Sequence, residues 1–157
     1  MTKIPLRRFT ARALPIDDQD RVLLLYGFDP EQPDQPFWFT IGGAMEDGET
    51  PAEAAARELY EEAGIRVRAE EFSGPYGSST IEFTWGGYAI TQDQVFLAVR
   101  VGDAVVSFEH MEQIEKDTTT AYRWWSVEDL ESTDEIFFPE DLAAILRKVT
   151  AGGGGSV

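Results

Sequence analysis

"GGAMEDGETPAEAAARELYEEAGI", residues 42–65, decides the reading of this chain. Thr50 can cap a helix, Pro51 sits at its first position, and Glu53 follows three residues after the cap. That is the pattern of a capping box. Gly64 is suited to end the helix in a left-handed conformation, so the signals predict a helix over 51–63. At about 100° per residue, Ala52, Ala55, Ala56, Leu59 and Ala63 form an apolar stripe that should lie on a sheet. Glu58, Glu61 and Glu62 share a different face, at i, i+3 and i+4. The crowding is unfavourable in itself. An i, i+4 pair of like charges costs a few tenths of a kcal/mol, and each carboxylate near the C-terminal end costs about 0.3–1 kcal/mol against the helix dipole. The plain alternative is a solvated charged face, relieved in part by Arg57. The glycine-rich turn that precedes the helix weighs against it.

Outward from the helix, "FWFTI" (37–41) reads as a strand entering Gly42 and Gly43, after the proline-rich loop "DPEQPDQP" (29–36). Residues 6–15 and the apolar run 21–28 read as two earlier strands, separated by the turn-like "DDQD". Downstream, 81–102 reads as two strands joined at Gly86-Gly87, a good hairpin turn. Residues 108–117 form an acidic connector, 121–126 a strand, 127–132 a short helix capped by Ser126, and 139–149 a last helix. Strands and helices in this mixed order predict an α/β fold, a sandwich of helices around a mixed sheet.

The chain has 157 residues, 43% of them hydrophobic, which suits one globular domain. We take that domain as 1–150 and the tail 151–157 as flexible. With 13 basic and 29 acidic residues, the net charge is −16. Such a field disfavours nonspecific binding to nucleic acid or an anionic membrane, and it repels phosphorylated molecules unless cations intervene. There is no cysteine, hence no disulfide framework or thiolate nucleophile. We read no signal peptide and no membrane-length apolar run, so a cytoplasmic setting is expected.

The stretch from Gly43 to Ile65 resembles the Nudix box, G-x5-E-x7-R-E-U-x-E-E-x-G-U, where U is a bulky aliphatic residue. Gly43, Glu49, Arg57, Glu58, Leu59, Glu61, Glu62, Gly64 and Ile65 fill every fixed position. The resemblance implies a Nudix-type α/β/α sandwich around a mixed β-sheet, and metal-dependent hydrolysis of a diphosphate linkage in a nucleoside diphosphate derivative. It implies Glu58, Glu61 and Glu62 as ligands of Mg²⁺, with Mn²⁺ as a substitute, joined by the Gly43 carbonyl. Arg57 would orient a ligand glutamate, and Glu49 would fix the loop–helix junction. Members of the family often add a carboxylate from a later loop, as metal ligand or general base. Glu109, Glu112 and Glu115 lie in that region, and Glu115 is favoured. His110 is either a surface residue or an acid–base group.

The expected partner is a small nucleotide, with no specific nucleic acid and no membrane; a homodimer is allowed. Phe37, Trp38, Phe39, Trp85 and Tyr88 could stack a base or pack a core, with Trp85 the candidate substrate contact. The alternative function is a catalytically silent domain of this kind that senses a nucleotide. An intact box favours the enzyme.

Overall fold

A computed structural model describes residues 2–85 and 87–154. Its strands are β1 (Ile4–Ile16), β2 (Val22–Gly27), β3 (Phe37–Phe39), β4 (Ile41–Ala44), β5 (Ser73–Trp85), β6 (Tyr88–Arg100), β7 (Thr119–Trp125) and β8 (Phe137–Phe138). The helices are α1 (Pro51–Ala63), α2 (Gln113–Thr118), α3 (Val127–Ser132) and α4 (Leu142–Gly154). All eight strands join one mixed sheet. The path runs β5-β6-β1-β2-β3-β8, with β4 on β1 and β7 on β2. β1 pairs in parallel with β6 along its full length, and antiparallel with β4 from Thr10↔Ala44 to Ala13↔Ile41.

Strand alternation sorts the core into two layers. Ala11, Ala13, Leu23 and Leu25 face α1, where they meet Ala55, Leu59 and Ala63. Leu14, Ile16, Val22 and Leu24 face the other way, onto Leu130 of α3 and Leu142, Ile145, Leu146 and Val149 of α4. The result is the expected α/β/α sandwich. Among the described residues, no helix is long and apolar enough to cross a membrane.

The helix over 51–63 forms as its caps direct. Thr50 accepts a hydrogen bond from the Glu53 amide, and Glu53 accepts one from the Thr50 amide. Gly64 ends the helix at φ 71°. The apolar stripe needs one correction: Ala54 is fully buried, whereas Ala56 is only half-buried. The sheet and β4 together cover a wider arc than one stripe, and the buried face of α1 extends over Ala54, Glu58 and Glu62.

Three other expectations shift. β5 begins at Ser73, eight residues before Ile81, because Ser78, Ser79 and Thr80 pair with β6 although they bury nothing apolar. The connector 108–117 contains the start of α2, whose Glu112 and Glu115 form a capping box that Glu at the cap position does not advertise. The last helix starts at Leu142 rather than 139 and continues to Gly154. The expected turn at Gly86-Gly87 falls partly on Gly86, and the expected tail partly on 155–157; these lie outside the described residues.

Candidate active site

The site is built where α1 crosses β4. The two glycines that open the motif have different tasks. Gly42 sits at φ 151°, and a Cβ there would come within 2.3 Å of the Ala11 carbonyl oxygen on β1, so its glycine is required by the sheet. Gly43 has no such backbone demand. A Cβ there would instead lie 2.8 Å from the Glu58 carboxyl carbon and both its oxygens. The Glu58 carboxylate therefore rests directly on the Gly43 backbone.

Glu58 and Glu62 are one turn apart and both buried, at 9% and 6% exposure. Burial of a carboxylate is costly unless it is paired or protonated. Burial pushes the Glu62 carboxyl well above the usual range, helped by the hydrogen bond that its protonated form donates to the Glu58 carboxylate and by the Glu58 charge; the Arg12 charge opposes the shift. One oxygen of Glu62 also accepts from the Gly42 amide at 3.2 Å.

Arg57 holds the periphery together. Its Nε and Nη2 donate to the two oxygens of Glu49, at 2.7 and 2.9 Å. Nη1 donates to Glu58 at 2.8 Å and to Glu61 at 3.1 Å, and Nη2 also reaches the Ala44 carbonyl at 3.1 Å. Glu49 in turn accepts from the Glu46 amide at 2.8 Å, so it closes the loop before the helix. Bidentate pairing of this kind fixes orientation as well as charge, and it draws the Glu49 carboxyl below its ordinary range. Glu61 is the outlying member, its side chain 46% exposed.

Of the three later glutamates, Glu115 is the half-buried one; Glu109 and Glu112 are exposed. Glu115 caps α2 by accepting from the Glu112 amide at 3.0 Å. Burial raises its carboxyl above the usual range, the Glu112 amide opposes this, and the charges of Glu58, Glu112 and Glu61 add to the rise. Glu115 thus lies within electrostatic reach of the box carboxylates. His110 stacks on Tyr60, with ring centroids 4.4 Å apart.

Two features depart from the sequence reading. Arg12 on β1 was missed: it pairs in register with Gly42, and its Nε donates to the Thr40 hydroxyl oxygen at 3.0 Å and its Nη2 to the Thr40 carbonyl. Burial lowers its pKa, while the Glu62 and Glu58 charges raise it. An arginine amid the apolar residues of a strand was the available signal. Trp85 is not brought to the carboxylates. It faces Tyr88 at the end of the β5–β6 ribbon, whereas Thr10, opposite Ala44, aligns with Gln94. Six residues of strand, about 20 Å, intervene. Trp38 is a core residue, edge-on to Trp125 at 5.1 Å.

Carboxylate oxygens are the hard donors that Mg²⁺ or Mn²⁺ requires, and two of them meet at Glu58 and Glu62. Among the described residues, no three acidic or histidine side chains already stand at ion-binding spacing. Glu61 is engaged by Arg57, and Glu115 by its own helix end. The donor set fits a divalent ion in kind, and its outer members would have to turn toward one.

Comparison with known proteins agrees with this architecture. The chain is 33% identical over 79 residues to a MutT-like protein of Streptomyces ambofaciens, covering 50% of this chain and 48% of the relative. It is 41% identical over 66 residues to dihydroneopterin triphosphate diphosphatase of Escherichia coli, covering 42% of this chain and 41% of the relative. The matched region thus spans less than half the length of these curated relatives. The solved structure of the E. coli dihydroneopterin triphosphate pyrophosphohydrolase shares the fold, with a TM-score of 0.65 at 20% identity, over 96% of this chain and 99% of that one. The family model described as NUDIX domain matches residues 6–150, and the chain belongs to that family.

Proposed function

We propose that this protein is a metal-dependent hydrolase that cleaves a phosphoric anhydride bond in a nucleoside diphosphate derivative. The observation that carries the proposal is the buried Glu58–Glu62 pair against the Gly43 backbone. Two desolvated carboxylates in contact are a cost to the fold, and a protein gains from that cost only if something binds there. The relatives named as a triphosphate diphosphatase and pyrophosphohydrolase support the same reading.

Glu58 and Glu62 would hold a divalent cation, with Glu61 and Glu115 turning in to complete the set and the Gly43 carbonyl beside them. When bound, such an ion supplies charge for the phosphates and a more acidic water. Arg57 keeps Glu58 in place through its Glu49 clamp, so its part is positioning. A box glutamate or Glu115 takes the proton from the attacking water. The raised proton affinity of Glu115 brings it nearer to what a base working at neutral pH needs. The hollow of about 500 Å³ between Phe9, Met45 and the Ser78–Thr80 hydroxyls, beside the start of α1, would take the part of the substrate beyond the phosphates.

The test is an assay of nucleoside triphosphates, nucleotide sugars, ADP-ribose and dinucleoside polyphosphates with Mg²⁺, scored for released phosphate, pyrophosphate or monophosphate. Cleavage of at least one of these classes is expected. No cleavage of any, with purified metal-loaded protein, overturns the proposal.

A further inference from the structure

Along the outer side of α1 runs a groove of about 710 Å³, lined by Tyr60, Glu61, Arg66, Arg68, Glu71 and His110 among others. Arg66 lies over the Tyr60 ring, its guanidinium carbon 4.1 Å from the centroid, and His110 stacks on the same ring. Arg7, Arg21, Arg57, Arg100, Arg123 and Arg147 each hold a carboxylate; among the described residues Arg66 forms no ion pair, and neither do the half-buried Arg8 and Arg12, of which Arg12 donates to Thr40 instead. In a chain of net charge −16, acidic partners are plentiful, and one exposed guanidinium beside a groove is left without any. Arg68 reaches Glu70 only at 4.0 Å, with both ends exposed, a contact of negligible strength.

Stacking on Tyr60 fixes the Arg66 plane and leaves its N–H edge for a ligand. That lowers the ordering cost of binding, and a planar fork matches the oxygens of a phosphoryl group. Glu61 belongs both to this groove and to the carboxylate cluster, so the two are continuous. Glu61 and Glu71 would repel an isolated anion. An anion tethered to a diphosphate already held at the carboxylates escapes that penalty, because its effective concentration is high.

We propose that the groove is a second anion subsite, in which Arg66, supported by Arg68, receives a phosphoryl group of the substrate beyond the cleaved linkage. The protein then favours substrates with three or more linked phosphates over those that carry only a diphosphate. This deepens the hydrolase reading and rests on it for the ligand.

The test separates the two. In the first arm, Mg²⁺-loaded protein at low salt is titrated calorimetrically with inorganic tripolyphosphate. Binding is expected, about tenfold weaker in Arg66→Gln and unchanged in Arg147→Gln, which removes the same charge from α4. In the second arm, the ratio of kcat/KM for a nucleoside triphosphate to that for ADP-ribose should fall about tenfold in Arg66→Gln, and Arg66→Lys should recover part of it. If nothing is hydrolysed, the hydrolase reading fails, yet Arg66-dependent tripolyphosphate binding still upholds the subsite. Absence of binding by the wild type, or equal binding by wild type and Arg66→Gln, overturns it.

Discussion

Gly43→Ala separates the fold from the site. The backbone at Gly43 needs no left-handed conformation, so alanine is allowed there, and the whole effect comes from one methyl group. That group would sit 2.8 Å from three atoms of the Glu58 carboxyl, inside contact distance. The carboxyl is the end of a flexible side chain, and it will swing aside. In doing so it leaves the 2.8 Å bond from Arg57 Nη1. A hydrogen bond to a charged group contributes about 1.5–3 kcal/mol, and some is regained elsewhere because Arg57 keeps Glu49 and Glu61. A net cost of about 1–2 kcal/mol follows, or roughly 2–8 °C in Tm for a domain of this size. Thermal unfolding should show that modest loss, with native circular dichroism. Mg²⁺ titration and turnover should show a much larger one, because Glu58 no longer faces Glu62. Gly42→Ala is the contrast: its methyl would strike the Ala11 carbonyl on β1 at 2.3 Å, which the backbone cannot yield without cost, and the fold itself should suffer. If Gly43→Ala binds Mg²⁺ and turns over as the wild type does, the placement of Glu58 is wrong.

Leu59 is fully buried between α1 and the sheet, so Leu59→Ala should cost about 2–5 kcal/mol; chemical denaturation measures it, and a loss below 1 kcal/mol would contradict the packing described. Metal-free protein should lose stability as pH rises. Folded Glu62 keeps a proton that the unfolded chain releases above about pH 4.3, so its contribution is most favourable below that pH and declines as pH climbs toward neutrality. Glu62→Gln should flatten this dependence, and a Tm profile identical to the wild type's would refute the assignment. Glu115→Gln should cut turnover sharply with little change in KM if Glu115 acts on the attacking water, and an unchanged rate makes its role that of a helix cap alone.

Legibility followed the range of the interactions. The helix over 51–63 was readable because its determinants, Thr50, Glu53 and Gly64, act within a turn of their targets. Arg57, Glu58, Glu61 and Glu62 were readable for the same reason, as a face of that helix. What the sequence concealed depends on distant pairing. Arg12 joins the site only because β1 lies on β4 in a register that sets it opposite Gly42. Ala54 replaces Ala56 in the buried arc because the sheet wraps further toward β4 than a stripe of alanines can indicate. Trp85 looked like an exposed ring near a substrate, and only the length of the β5–β6 ribbon reveals its distance from the carboxylates. α2 was hidden by a glutamate at its cap.

The central claim is that the buried carboxylates of α1 serve a divalent cation in cleaving a diphosphate linkage. The most direct test is turnover of the best substrate from the nucleotide panel as Mg²⁺ is returned to EDTA-treated protein, for wild type and Glu62→Gln side by side. The account predicts no activity without metal, full recovery on adding Mg²⁺ to the wild type, and a loss on the order of 10²-fold or more in Glu62→Gln at saturating Mg²⁺. Undiminished turnover in EDTA, or a Glu62→Gln protein as fast as the wild type, would contradict it.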